Sequence, residues 1–217
     1  MFTRNSISVL LIIAVITWGA FLWFLGIQLT WEHAKPYSLT LAVLTGGWTL
    51  FNKYLWRKWP CRLFVRTPNL NGMWKVALQS TYRDPETREP KGRIDAYIAI
   101  RQTFTSLSVR LMTAGEHESF LVASSFDIND DGTTYLYGVY QGVPSISDRK
   151  EVTAIHYGSF RYKVIGSPVT RLSGHYWTDR ETGGSIDLFD RRSELFDSFA
   201  SAEAARKNIR ETEHPLP

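Results

Sequence analysis

Cysteine is almost missing from these 217 residues. The single Cys61 excludes an intrachain disulfide framework and a thiolate-rich metal site, and it suits a reducing compartment. Its place beside an apolar stretch admits S-acylation, and equally a bland juxtamembrane thiol. An excess of positive charge is missing from most of the chain: residues 68 to 190 carry 13 Lys/Arg against 15 Asp/Glu, although the whole chain is +4. A duplex nucleic-acid binder would spread Lys and Arg over its folded face, so that class is excluded. Catalytic signatures are missing as well. No G-x-S-x-G, Walker or G-x-G-x-x-G pattern occurs, and His33, His117, His156, His175 and His214 show no metal-ligand spacing. Asp127 to Gly132 begins like an EF-hand loop, but Gly138 stands where a bidentate Glu is required, so this stretch reads as a turn. Paired inward carboxylates cannot be identified, which argues against an enzyme, and nothing calls for a cofactor or metal.

Long apolar runs are confined to the N-terminal quarter, which the mean hydropathy of -0.19 conceals. Ser6 to Leu29 holds no charged residue, about the 20 residues that a helix needs to cross a hydrocarbon core. Tyr37 to Asn52 is a second uncharged run, shorter and more polar, that reaches spanning length with Tyr54, Leu55 and Trp56 at the interface. A signal peptide is the competing reading of the first run, but no small-x-small cleavage pattern closes it. Thr30 to Pro36 is short enough only for a tight hairpin, with Trp31 and Tyr37 as interfacial anchors. Arg4 and the cluster Lys53, Arg57, Lys58, Arg62 and Arg66 outweigh the lone Lys35 of that loop. The positive-inside rule therefore puts both termini and the following domain in the cytoplasm. Headgroup contact by these basic residues is the other reading of the cluster.

After Pro68 the pattern changes to short alternating runs divided by turn chemistry. Eight runs follow: Gly72 to Tyr82, Arg93 to Gln102, Ser106 to Thr113, Ser119 to Ile128, Thr133 to Tyr140, Ala154 to Ile165, Arg171 to Asp179 and Ser185 to Arg191. Asp84-Pro85-Glu86, Ala114-Gly115-Glu116, Asn129 to Gly132, Gly166-Ser167-Pro168 and Thr182-Gly183-Gly184 supply the breaks. Short connections predict sequential antiparallel neighbours, closed into an eight-stranded up-and-down β-barrel of lipocalin-like shape, which removes its own edges. Two packed sheets satisfy the same periodicity. The chain thus divides into a two-transmembrane α-helical hairpin over 1–56, a basic linker over 57–69, an all-β domain over 70–191 and a tail over 192–217. In the tail, Leu195, Phe196, Phe199 and Ala202 fall at helical spacing, an amphipathic helix that could cap the barrel.

Alternation also assigns faces. Leu172, Gly174, Tyr176, Thr178 and Arg180 share one, continued by Ile186 and Leu188; Ile98, Ile100 and Gln102 share another, as do Leu107, Val109 and Leu111. Arg101 and Arg110 fall on the outward parity. The inward set is apolar at one end and polar at the other, with Gln102, Thr178 and Arg180 near strand ends, and small barrels hold a ligand at the mouth.

Asn71-Gly72-Met73-Trp74, Ile98-x-Ile100-x-Gln102, Tyr135-x-Tyr137, Gln141-Gly142-Val143-Pro144, Gly174-x-Tyr176-x-Thr178-x-Arg180 and Gly184-x-Ile186-x-Leu188, in that order behind an apolar hairpin, resemble the SMODS-associating two-transmembrane β-strand-rich family. These are effectors of bacterial cyclic-oligonucleotide-based anti-phage signalling systems (CBASS). The resemblance implies a cytoplasmic barrel that binds a cyclic dinucleotide made by a partner nucleotidyltransferase of the CD-NTase type. It further implies self-association into homo-oligomers through the hairpins and disruption of the lipid bilayer of the bacterial inner membrane, where the protein would reside, so that the infected cell dies.

Such a ligand offers two base faces and two phosphodiester charges, so its pocket needs rings, donors and a cation. Arg180 is the first candidate for a phosphate, its guanidinium giving two parallel hydrogen bonds; a solvated arginine at a hairpin end is the plainer reading. Tyr176, Trp74, Tyr137 and Tyr140 are candidates for stacking, against the ordinary role of aromatics in a core. Gln102 and Thr178 need polar partners wherever they face inward, which a ligand, a structural hydrogen bond or a water would supply. A membrane-tethered barrel for a lipid or other apolar ligand is the alternative function, and a scaffold with a filled interior the third.

Overall fold

The computed structural model describes residues 4–26, 31–83, 87–90, 92–144 and 155–213. The Asp84-Pro85-Glu86 turn, Thr30, Ala154 and the side chains of the anchors Trp31 and Tyr37 lie outside the described residues. The chain falls into two compact units, residues 1–65 with 103–105, and residues 66–102 with 106–217.

The first unit is helical. Helix α1 covers Arg4–Phe24 and helix α2 covers Trp31–Lys53. Gly26, at φ +67°, turns the chain after α1 and returns its N–H to the Trp23 carbonyl, a conformation that glycine adopts without steric cost. The second helix starts earlier than the uncharged run from Tyr37 suggested, so Pro36 lies within it and most of the expected hairpin loop is helix. Among the described residues, no helix is long and apolar enough to cross a membrane. Apolar side chains nevertheless stay exposed along both helices, with Trp23, Phe24, Val43, Leu44 and Leu50 each at least half exposed. At the end of α2, Phe104 packs edge-on against Phe51 at 5.2 Å and Trp48 at 6.2 Å. Asn52 closes this cluster: its carbonyl accepts from Phe104 N, and its Oδ1 from Thr105 N and Oγ1.

The second unit is the barrel. Strands β1 (Gly72–Ser80), β2 (Ile94–Gln102), β3 (Leu107–Thr113), β4 (Glu118–Ile128), β5 (Thr134–Val143), β6 (His156–Ile165), β7 (Arg171–Thr178) and β8 (Gly183–Arg192) pair antiparallel in chain order. β8 returns to β1, so the barrel closes and the two-sheet alternative falls away. β5 runs to Val143, beyond the alternating run, because Gly142 continues the parity without a side chain to mark it. The β3–β4 seam is the shortest, joining only Arg110–Met112 to Glu118–Phe120, and β4 carries a bulge between Leu121 and Ala123.

Inward residues form one apolar core that includes Trp74, Val76, Ile98, Ile100, Val109, Leu136, Phe160, Tyr162, Leu172, Ile186 and Leu188. One end of this core is a floor. Leu70, fully buried, and Val169 plug it from the segments outside β1 and between β6 and β7. Gln102 bolts the plug in place: its Oε1 accepts from Leu70 N at 2.8 Å, and its Nε2 donates to Pro68 O at 3.0 Å. Trp74 Nε1 donates to Leu70 O at 2.9 Å.

Helix α3 (Phe199–Glu213) starts at an N-cap, Ser198, whose hydroxyl accepts from Ser201 N. It does not cap a barrel mouth, as its amphipathic pattern had suggested. Ala202 and Phe199, with Leu195 and Phe196 just before the helix, cover the outer wall formed by Met73, Tyr97, Ala99 and Met112. The outward apolar parity of β1 to β3 creates that matching face. Arg206, 5% exposed, pairs with the Asp190 carboxylate, donates to its carbonyl and lies 5.2 Å from the Tyr97 ring centroid.

Candidate functional site

In an up-and-down barrel, odd strands end where even strands begin. The ends of β1, β3, β5 and β7 and the starts of β2, β4, β6 and β8 therefore meet at the mouth opposite the Gln102 floor. Inward side chains there are half-buried rather than buried: Leu78, Ser80, Leu111, Ser119, Leu121, Tyr140, His156, Tyr176 and Thr178.

The wall from β5 to β8 is built by one local device. Inward aromatic rings face inward glycines on the neighbouring strand: Phe160 opposite Gly138, Tyr140 opposite Gly158, His156 opposite Gly142, and Tyr176 opposite Gly184. A Cβ added at any of these glycines would collide with the ring of its partner, so each ring lies against bare backbone. Rings laid on the wall this way occupy glycine's vacant space instead of the lumen. Down the same wall Tyr140, Phe160 and Tyr162 stack, with centroids 6.5 Å apart for the first pair and 4.2 Å for the second.

The electrostatics follow from this burial. Desolvation raises the Tyr140 phenol well above its ordinary value, with Tyr176 and Asp179 adding to it. Tyr176 is likewise raised by burial, and a Ser80 hydrogen bond pulls the other way. His156 is lowered, first by desolvation, then by the Arg180 guanidinium, with Asp179 opposing and His117 adding a smaller lowering. These rings stay neutral at neutral pH. The mouth thus presents uncharged aromatic faces beside a cation on its rim.

Of the seven residues that the sequence singled out, the fold brings four together. Tyr140 and Tyr176 stand on the inward wall, Thr178 ends β7, and Arg180 follows on the exposed β7–β8 turn. Thr178 has a structural partner, since its hydroxyl meets Thr182 Oγ1 at 2.7 Å and accepts from Arg180 N at 3.2 Å. That turn also holds Asp179, whose carboxylate accepts from Tyr157 N. Arg180 is presented by a turn that threonine and aspartate side chains fix.

The other three lie elsewhere. Gln102 and Trp74 sit at the floor, so Gln102 and Thr178 mark opposite ends, not one polar end. Gln102 and Trp74 direct their polar side-chain atoms to backbone groups. Tyr137 points outward, pairing across the ladder with Arg161, whose guanidinium lies 5.9 Å from its ring centroid and 4.2 Å from that of Tyr135. Arg101 and Arg110 are outward as parity required, Arg101 beside Asp197 and Arg110 paired with Glu118.

His156 and Ser80 stand half-buried on the same inward wall and are not among the seven. The parity of Gly158, Phe160 and Tyr162 extends to His156 and could have found it.

The family model described as Cap15, cyclic dinucleotide receptor domain, matches residues 65–190, the barrel and its preceding plug. Three curated relatives carry the name CD-NTase-associated protein 15. One, from Escherichia albertii, is 26% identical over 187 residues, covering 82% of this chain and 89% of that protein. A second, from Staphylococcus schleiferi, is 24% identical over 162 residues, 74% of this chain and 81% of the relative. The third, from Yersinia aleksiciae, is 26% identical over 160 residues, 71% and 72% respectively.

Proposed function

This chain belongs to the Cap15 cyclic dinucleotide receptor family, and on that premise we propose that it is a CBASS effector whose barrel binds a cyclic dinucleotide at the mouth opposite Gln102. The observation that carries the reading is the wall of aromatic rings seated on glycines, with Arg180 on its rim. Flat neutral rings suit nucleobase faces, and a guanidinium suits a phosphodiester. A CD-NTase, the enzyme class named in the relatives' description, would make the ligand.

The output in this reading is the helical unit. Its exposed Trp23, Phe24, Val43 and Leu44 support burial in a bilayer or against further copies, and the charge bias of Arg4 and Lys53 to Arg66 supports a cytoplasmic barrel. Ligand binding would drive self-association through α1 and α2 and disrupt the inner membrane. Binding and damage are separable in one experiment. The full chain, reconstituted in dye-loaded vesicles, releases dye when a cyclic dinucleotide is added. A chain lacking Phe2 to Arg57 binds the same ligand without release. Dye release that persists without those residues would overturn the assignment of output to the helices.

A further inference from the structure

Past the end of α2 the chain folds into two short helical turns, Leu55–Arg57 and Cys61–Leu63. Backbone bonds from Lys58 N to Leu55 O, Arg62 N to Lys58 O, Leu63 N to Pro60 O and Phe64 N to Cys61 O hold them compact. Trp56 fixes the inner side: it is 1% exposed, and its ring lies 6.4 Å from that of Phe104. The outer side is unlike an ordinary surface in water. Trp59 is 81% exposed, Leu63 72% and Phe64 87%. Interleaved with them stand Arg57, Lys58 and Arg62, and no Asp or Glu occurs anywhere between His33 and Arg83. Among the described residues none of these three cations pairs with a carboxylate. Retention of the segment on one side of a membrane calls for the charge alone and leaves the exposed rings unexplained. Rings and cations side by side, with no acid among them, match the boundary between anionic headgroups and acyl chains.

We propose that residues 55–64 are a lipid-binding element for an anionic membrane surface, with Trp59, Leu63 and Phe64 inserted at the acyl boundary and Arg57, Lys58 and Arg62 on the lipid phosphates. This rests on the protein acting at a bilayer, as the functional reading has it, but not on α1 and α2 crossing that bilayer. The element leaves α2 directly, and Val43, Leu44 and Leu50 of that helix are themselves at least half exposed. One apolar medium accounts for both. An acidic, apolar face of another protein is the competing occupant.

The test uses Cys61, the single cysteine of the chain, which lies inside the element. A nitroxide on Cys61 of the full chain is followed in vesicles of phosphatidylcholine, with and without phosphatidylglycerol. Paramagnetic resonance compares its access to oxygen, which concentrates in lipid, and to a water-soluble nickel chelate. With phosphatidylglycerol the expected depth is about 5–10 Å below the headgroup boundary. It is shallower without that lipid, and added salt reduces the difference. Trp59→Ser with Phe64→Ser should bring the label out to water, and Arg57→Gln, Lys58→Gln and Arg62→Gln together should make the two compositions equal. Melting curves establish that the variants fold. A second label, carried by Ala20→Cys in a Cys61→Ser background, reads the depth of α1. A Cys61 label in water beside an immersed α1 label overturns the inference and leaves the membrane reading standing. An immersed Cys61 label beside an α1 label in water upholds the inference and removes the insertion of the helices. Both labels in water overturn both. A Cys61 label shielded from both relaxants identifies a protein partner and overturns the inference, as does a depth that neither set of variants changes.

Discussion

Tyr140 lies with its phenol against the backbone of Gly158, its cross-strand partner on β6, where a Cβ would collide with the ring and with the Trp177 carbonyl. The pair decides where an aromatic side chain goes at the mouth: along the wall, not across the opening.

Gly158→Ala should therefore push the Tyr140 ring off the wall. Overpacking of this kind costs about 1–3 kcal/mol, read as a lowered melting temperature. The sharper expectation is loss of cyclic dinucleotide binding, because the displaced ring enters the space the ligand needs. Tyr140→Phe keeps the ring on the glycine and should bind nearly as well as wild type. Calorimetry on both variants checks the contrast.

Arg180 and Gln102 should separate cleanly. Arg180→Ala removes a rim cation and is expected to weaken binding by about tenfold, with a shallower salt dependence and a smaller change in melting temperature than Gln102→Ala shows. Gln102→Ala strands the buried Leu70 N–H, which costs about 1–3 kcal/mol, and should lower the melting temperature without changing affinity. Affinity lost in Gln102→Ala while the protein stays folded would place the ligand at the floor instead.

Arg206 ties α3 to the barrel wall. Its own side chain is 5% exposed but that of its partner Asp190 is 41% exposed, so Arg206→Ala leaves a carboxylate that water can reach. The expected cost is about 1–2 kcal/mol, below that of severing a fully buried pair. Hydrogen exchange should rise in Phe199–Glu213 while ligand affinity stays as it was, since α3 covers the outside.

His156 should also mark the stability profile. Its folded-state value lies below the ordinary 6.5, so the unfolded chain takes up the proton first as pH falls. The sign follows: stability is highest above about 6.5, declines as pH drops toward the lowered folded value, and loses nothing more beneath it. Melting temperatures across that window should fall more steeply for wild type than for His156→Ala. Asp187 acts further down. Burial raises it, but Ser173 and Arg171 outweigh burial and hold it below 3.8, so its contribution is present above that value and fades as pH falls through it.

Strand number, order and inward parity were legible because each rests on a short-range signal. Period-two alternation placed Tyr176 and Thr178 inside and Arg101 and Arg110 outside, and turn residues bounded the runs to within a few positions. The Gly-aromatic pairs were not legible. A glycine in a strand shows no partner until register is known, and register around this barrel includes a bulge between Leu121 and Ala123.

The sequence alone determined an apolar N-terminal quarter, eight strands and the parity along most of them, since these depend on neighbours within a few residues, but not that Tyr137 faces outward or that Arg180 lies beyond β7 on an exposed turn. Tertiary structure decided which strand ends share a mouth. It put Gln102 and Trp74 at the floor, Tyr140, Tyr176, His156 and Arg180 at the other end, and α3 on the wall. Closure is the physical reason: once β8 pairs with β1, alternating chain direction sends the ends of odd and even strands to opposite openings. Residues that look equivalent along the chain then meet different surroundings.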